Sequence, residues 1–481
     1  MTLYNSFSHQ LEEVVAISPP KLGIYTCGPT VYDFTHIGHL RKYVFDDLLV
    51  RILKRAGFQV THVMNITDVG HLVSDADDGE DKMEKGARKY QKSVWDLAHE
   101  FEAFFWKSLD AVHVQRPDVS CRATDHISEQ IEMIQKLEKN GHTYVIEDGV
   151  YFDTSTFSRY YALSGCSADR EVVQRIEETV GKKHADDFAL WKFSPKDQSR
   201  QMEWESPWGK GFPGWHIECS AMSSKYLGDQ FEIHTGGIDH VAVHHTNEIV
   251  QSECATGKSP FVKYWVHHNF LRVDNQKMSK SLGNFYTIDD VIAKGFSPEA
   301  LRLLFLGSHY RDEQNFTWEA LRGAQASLDR LADLILHWES DTSRSDLSEE
   351  KLAQIDLYRS RFEEALFHDL HSAEALAVLW EVAKSNIPSM DKFDLIRDFN
   401  EVLGLDCVAY AKKRKELQQH AQKQVEQSIP EDVRALAEAR QQARVQRNFE
   451  LADRLRAQLL EQGWVVEDVA NRYLLKPNRR V

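Results

Sequence analysis

Residues 21–67, KLGIYTCGPTVYDFTHIGHLRKYVFDDLLVRILKRAGFQVTHVMNIT, decide the fold. The stretch opens on a short apolar run, KLGIYTC, that stops at Gly28-Pro29, as a buried strand closed by a turn does. From Gly38 the apolar residues recur at helical spacing, and Gly57 supplies a C-terminal stop. FQVTHVMNIT then reads as a second strand. Strand, helix and strand in succession make a βαβ unit, which predicts a parallel α/β sheet of the Rossmann-like kind. Many unrelated enzymes are built on this unit, so it assigns no function on its own.

Outward from this unit, a chain of 481 residues exceeds a single domain core, and three or four domains are expected. The first half of the sheet domain is assigned to residues 1–114. Mixed strand and turn signals over 115–213, with DGVYFDTSTF and SPWGKGFPG among them, read as an insertion, and the second half of the sheet domain follows at 214–290. Beyond about residue 290 strand signals vanish, and FTWEALRGAQASLDRLADLILHWES opens a series of helical patterns. Further helices are expected at roughly 349–369, 371–386 and 391–419, which gives a helical region at 291–345 and a bundle at 346–420. A polar stretch, KQVEQSIPED, separates a last piece at 431–481.

Apolar residues at 42% and charged residues at 27% fit a globular protein rather than a disordered one. The formal charge of −16 speaks against a generally basic nucleic-acid binder. The charge is unevenly spread, because residues 431–481 carry ten basic against eight acidic side chains. No run of about 18 apolar residues occurs, so membrane insertion is not expected. The first residues, MTLYNSFSHQLEEVV, lack the pattern of a secretory signal. Six scattered cysteines with no CxxC pair point to a reduced, cytoplasmic protein, in which any metal site must be assembled from distant segments. The acidic loop SDADDGED at 74–81 fails as a calcium loop, since counting from Asp75 puts Glu80 and Gly86 where Gly and Glu are required.

Two short segments carry phosphate chemistry. His36-Ile37-Gly38-His39 sits between strand and helix, where a helix N-terminus offers N–H groups and the positive end of its dipole. Gly38 lets backbone approach a nucleotide closely, and His36 and His39 can donate to phosphate oxygens as charge shifts. Lys277-Met278-Ser279-Lys280-Ser281 is the second segment, a cationic loop suited to charge on a departing pyrophosphate. A Walker A loop is rejected, because CATGKS has Ser252 where the first glycine is required. Together HIGH and KMSKS, in this order, resemble the signatures of class I aminoacyl-tRNA synthetases.

Four further residues bear on the amino acid. Cys27 ends the first strand, Cys219 lies in PGWHIECSAM, and His244 and Glu248 stand one helical turn apart in HHTNE. Each type is a competent zinc ligand, while free cysteines and helical His-Glu pairs also have ordinary packing roles. Spacing leaves the choice between His244 and its neighbour His245 open.

As a set these residues resemble the cysteinyl-tRNA synthetase family. DFALWK at 187–192, SPWGKGFPGWHIECSAM at 206–222 and NEIVQSE at 247–253 extend the likeness over nearly the whole chain. The resemblance implies one zinc ion held by Cys27, Cys219, His244 and Glu248, with the substrate thiolate as an added ligand; His245 would then point about a quarter-turn away and pack or hydrogen-bond. Such a site separates cysteine from serine, which ordinary contacts distinguish by only about 100-fold. It also implies that Trp215 closes the amino-acid pocket, that Thr67, His234 and Asp239 line the substrate site, and that Gly38, His36, His39, Lys277 and Lys280 serve ATP, used with Mg2+. Two segments depart from the family pattern, NITDVGHLVSDADDGEDK and GGIDHVAVHHTNE, the latter changing the lining at His240 and Val243.

By the same resemblance, residues 1–114 and 214–290 form the catalytic domain, 115–213 the connective insertion, and 291–345 a stem-contact region. The helical bundle follows, and 431–481 is an anticodon-binding module with Trp464 and Tyr473 available for stacking. The implied activity is ATP-dependent ligation of L-cysteine to tRNA(Cys) through cysteinyl-adenylate, by a cytoplasmic monomer. A ligase joining cysteine to an amino sugar is an alternative, against which the terminal module speaks. A non-catalytic RNA-binding paralogue is a second, against which the intact motifs speak.

Overall fold

The computed structural model describes residues 1–69, 82–165, 181–195, 200–341, 347–469 and 472–478. The acidic loop at 74–81 and Cys166 lie outside the described residues. The chain divides into two compact units, Met1–Cys407 and Val408–Val481.

Among the described residues of the first unit, five strands form a wholly parallel central sheet: β1 Lys21–Thr26, β2 Gln59–Ile66, β3 Val119–Arg122, β4 Phe231–Gly237 and β5 Val262–His268. Their order is β3-β2-β1-β4-β5, the doubly wound arrangement. Between β1 and β2 runs α1, Ile37–Arg55, whose Leu40, Val44, Leu48 and Ile52 recur every fourth residue and are fully buried. Gly57, at φ +92°, ends the helix in a conformation that residues with side chains avoid. The βαβ unit is therefore present as read.

The remaining boundaries differ in instructive ways. Val119–Arg122 falls within the stretch assigned to an insertion, yet it pairs with β2 in the central sheet. What stands apart is an antiparallel sheet of Thr143–Ile146, Gly149–Phe152, Phe188–Phe193 and Gly211–Pro213. Strand signals do not vanish after 290, because Gln314–Phe316 pairs with Leu271–Val273. Where spacing predicts one helix over 391–419, the structure has Ser389–Leu403 and Cys407–Ser428, broken at Gly404, whose φ is +61°. KQVEQSIPED is no open linker, since that second helix runs to Ser428 and another begins at Glu431.

In the second unit, helices Glu431–Val445 and Phe449–Glu461 pack with a hairpin of Trp464–Val469 and Arg472–Pro477. The hairpin is not signalled in the sequence, because each strand has only six residues of alternating pattern. Among the described residues, no helix is long and apolar enough to cross a membrane.

A buried arginine ties elements of the first unit together. Arg302 donates to Asp47 Oδ2 at 2.6 Å, Leu403 O at 2.7 Å and Val112 O at 2.8 Å. It thereby joins α1, the end of helix Val94–Ala111 and the end of helix Ser389–Leu403.

Candidate active site and metal-ligand cluster

The sheet order reverses between β1 and β4, and their carboxyl ends lie side by side. Thr26 pairs with Thr235, and the N–H of Cys27 donates to Thr235 O at 3.1 Å. In sheets of this kind the crevice at that point is where ligands bind.

His36 caps α1. Its Nδ1 accepts from the N–H groups of Gly38 at 3.1 Å and His39 at 3.3 Å. The N–H of Ile37 goes to Tyr286 O, and that of Leu40 to His36 O. The first N–H groups of this helix are thus already taken, contrary to the expectation that they stand open for phosphate. What the helix start retains is its dipole and the outer edge of the His36 ring. Burial, reinforced by His39, holds the His36 pKa well below the ordinary imidazole range. A neutral ring whose Nδ1 accepts carries its proton on Nε2. His39 stacks on it with ring centres 3.6 Å apart. Part of His39 is open to the crevice, yet removal from bulk water brings its pKa down to about 4.

The KMSKS segment meets this helix start. A Cβ on Gly38 would stand 3.0 Å from the His36 ring and 3.3 Å from Met278 Cε, so glycine is what allows the two motifs to approach. Asn284 braces the loop, accepting from Ser279 N–H at 2.8 Å and donating to Lys277 O at 3.2 Å. Lys277 itself is exposed. Lys280 Nζ lies 2.6 Å from Asp33 Oδ1 and 5.1 Å from the centre of the Phe285 ring, which in turn sits 5.1 Å from His36.

Beside the nucleotide motifs, three segments converge on a buried cluster. Cys27 follows β1, Cys219 belongs to α2 (Trp215–Leu227), and His244 and Glu248 belong to α3 (His244–Thr256). One donor atom from each lies within 4.8 Å of the others, and all four residues are buried. A second set, Cys27, His234, His245 and Glu248, meets the same limit. His245 lies against the same cluster and hydrogen-bonds: its Nε2 is 3.4 Å from Cys27 Sγ and its Nδ1 is 2.7 Å from His267 Nε2. Gly236 makes this possible, since a Cβ there would fall 2.4 Å from the His245 ring. Glu248 Oε2 pairs with His234 Nε2 at 2.9 Å, while Oε1, 3.1 Å from His244 Nε2, takes no hydrogen bond. Two sulfurs, an imidazole nitrogen and a carboxylate oxygen without a hydrogen bond, all buried, suit a borderline-soft divalent ion far better than calcium or magnesium.

The electrostatics of the cluster agree with that donor set. Burial pushes the Cys27 thiol up, but its bond with Cys219 and the His245 and His234 imidazoles outweigh burial and hold it well below the usual thiol range. Cys219 rises in turn, through the same bond and burial. For His244, burial works against the charged form, yet Cys27 and Glu248 carry it up to about 10. The cluster thus stabilises one thiolate.

Other expected residues fall around this core in unequal ways. Trp215 opens α2 with its ring centre 4.6 Å from that of His244. Thr67 is buried and donates to Glu218 Oε2 at 3.1 Å, so its hydroxyl is turned onto a carboxylate. His234 lies behind Glu248, stacked on Trp265 at 4.8 Å. Asp239 is exposed on the turn Ile238–His240. Sequence reasoning passed over Asp33, Asn65, His216, Glu218 and His267. His216, whose Nδ1 is 2.9 Å from His244 Nδ1, stands beside Trp215 in the quoted GWHIEC and was within reach. Asn65 Oδ1 accepts from Gly28 N–H at 2.8 Å, and its Nδ2 donates to Thr67 Oγ1 at 3.1 Å, a contact no spacing signals.

Residues 13–326 match the family model described as "tRNA synthetases class I (C) catalytic domain". Over 471 residues the chain is 45% identical to cysteine–tRNA ligase 1 of Burkholderia lata, covering 97% of this chain and 95% of that protein. It is 41% identical over 490 residues to the cysteine–tRNA ligase of Treponema denticola, covering 98% of each. A similar fold is found in Mycobacterium tuberculosis methionyl-tRNA synthetase in complex with methionyl-adenylate, with TM-score 0.55 and 14% identity over 81% of this chain and 90% of that one.

Proposed function

The chain belongs to the cysteine–tRNA ligases, within the class I tRNA synthetases, and we propose that its buried thiol–imidazole–carboxylate cluster is the element that selects the substrate. The enzyme ligates L-cysteine to tRNA(Cys) using ATP. Cys27, Cys219, His244 and Glu248 hold one zinc ion in this reading, and the observation that carries it is the convergence of their donor atoms within 4.8 Å. A bound zinc ion supplies a Lewis-acid centre that takes thiolate sulfur in preference to a hydroxyl. His245 shares the same core and is the alternative nitrogen donor.

The side chains around it bind and orient. Trp215 closes the pocket over the amino acid, and Thr67, His234 and Asp239 shape its floor and mouth. The cysteine carboxylate oxygen attacks the α-phosphorus of ATP, the bond to the β-phosphate bridging oxygen breaks, and pyrophosphate leaves with that oxygen. His36 donates from Nε2, the tautomer fixed by its cap, and His39 beside it donates as a neutral ring. Lys280 and Lys277 take up charge on the departing pyrophosphate, for which Mg2+ is the natural partner. The terminal adenosine of tRNA then accepts the cysteinyl group and AMP is released. Positioning and electrostatics suffice for both steps.

Residues 431–481 supply the anticodon contact. A cavity of about 470 Å³ in the Val408–Val481 unit is lined by Lys423, Arg434, Glu438 and Tyr473, among others, a mixture suited to an unstacked base. Trp464 and Tyr473 both pack on the apolar cluster of Val433, Leu459 and Val466, but of the two Tyr473 lines that cavity, which makes it the preferred stacking residue. The enzyme acts as a monomer in the cytoplasm, where tRNA is charged and thiols stay reduced.

Metal analysis tests the cluster. The native protein is expected to hold one equivalent of zinc, and its cobalt-substituted form a thiolate-to-metal absorption band that changes when cysteine is added. Cys219→Ala should lose most of the metal; retention of a full equivalent would refute this ligand set.

A further inference from the structure

Lys280 is held by a carboxylate in this structure. Both carboxylate oxygens of Asp33 lie 2.6 Å from its Nζ. Asp33 is itself fixed: its Oδ1 accepts from Phe34 N–H at 2.8 Å. The Phe34 ring stands edge-on to Phe101 and Phe104, at 5.0 and 4.9 Å. Lys280, in contrast, rides on the short turn Lys280–Leu282 and is half exposed. Phe285 completes the seat, with its ring against both Lys280 and His36.

A carboxylate hydrogen-bonded to the backbone and holding a half-exposed loop lysine, within two ring contacts of the proposed phosphate-binding histidine, has a definite consequence. We propose that Asp33 is a positioning residue that seats Lys280 between turnovers, and that the triphosphate of ATP must take Lys280 from it. The inference rests on Lys280 being the phosphate lysine of the proposed function. Asp33 opposes ATP through Lys280, because it occupies the cation that the nucleotide needs. The same contact recaptures Lys280 once pyrophosphate has formed, which loosens the product's hold on the loop. An exposed pair of this kind is weak enough to be exchanged in every cycle.

Cysteine-dependent exchange of pyrophosphate into ATP reads this out, with KM for ATP and kcat measured separately. Asp33→Asn is expected to lower the KM for ATP by about two- to fivefold, the equivalent of an exposed ion pair, with the KM for cysteine unchanged. Asp33→Ser should act in the same direction, and Asp33→Glu should restore native behaviour. In a Lys280→Ala background the Asp33→Asn gain should disappear. An unchanged or raised KM for ATP in both Asp33→Asn and Asp33→Ser would overturn the proposal, as would a gain that persists without Lys280. If Lys280→Ala alone leaves both constants untouched, the underlying assignment of Lys280 fails instead.

Discussion

The Nδ1 atom of His36 accepts two backbone N–H groups, so at this residue the tautomer is set by a helix cap. The HIGH motif was legible from four letters, but the cap was not, because nothing in spacing says which ring nitrogen faces the helix. His245 teaches the same lesson from the other side, since its approach to Cys27 depends on the bare backbone of Gly236, nine positions earlier in the chain and outside the helix. Asp68 permits a quantitative statement about pH. Burial raises its pKa to about 6, although Thr124 donates to both of its oxygens, at 3.0 and 2.6 Å. The folded-state value lies above the unfolded one, so the ionised carboxylate is unfavourable above pH 6, and that cost fades as pH falls through 6 towards 4. Asp68→Asn, which removes the charge, should therefore stabilise the protein at pH 8 by on the order of 2 kcal/mol. The gain should shrink at pH 5, as denaturant midpoints of the two proteins at both pH values will report.

At the level of elements, the parallel βαβ unit was read correctly because burial on both faces leaves a continuous apolar run that turns, caps and glycines then punctuate. Val119–Arg122 escaped because four residues with alternating burial carry too little pattern, and only pairing with β2 makes them a strand. The break at Gly404 escaped for another reason: apolar spacing continues across it, while Arg302 and Arg51 crowd the turn from elsewhere in the chain. Arg302 itself is an inter-element brace that no local signal announces. Its guanidinium and the Asp47 carboxylate are fully buried, with their nearest atoms 2.6 Å apart. Arg302→Met removes three hydrogen bonds and leaves Asp47 with Arg51 and the N–H of Gln115 as its remaining partners. The expected loss is about 3–5 kcal/mol in unfolding free energy, measured by chemical denaturation; a loss below about 1 kcal/mol would show that the brace carries little.

On the scale of the molecule, the net charge of −16 speaks against a generally basic nucleic-acid binder, yet the chain belongs to a tRNA ligase family. Net charge describes long-range repulsion, whereas tRNA needs only a placed strip of positive surface, so affinity should fall steeply with salt. The candidate site was the most legible part of the chain, since chemistry fixes residue types more tightly than folding does. Its four candidate metal ligands span 221 positions, from Cys27 to Glu248, and the adjacency of β1 and β4 in the sheet helps to bring their segments together. The most direct test of the whole account is cysteine-dependent pyrophosphate exchange into ATP, with serine as the control substrate. The account predicts robust exchange with cysteine and a rate with serine reduced by far more than the about 100-fold that shape alone provides. Comparable exchange with serine, or none with cysteine, would contradict it.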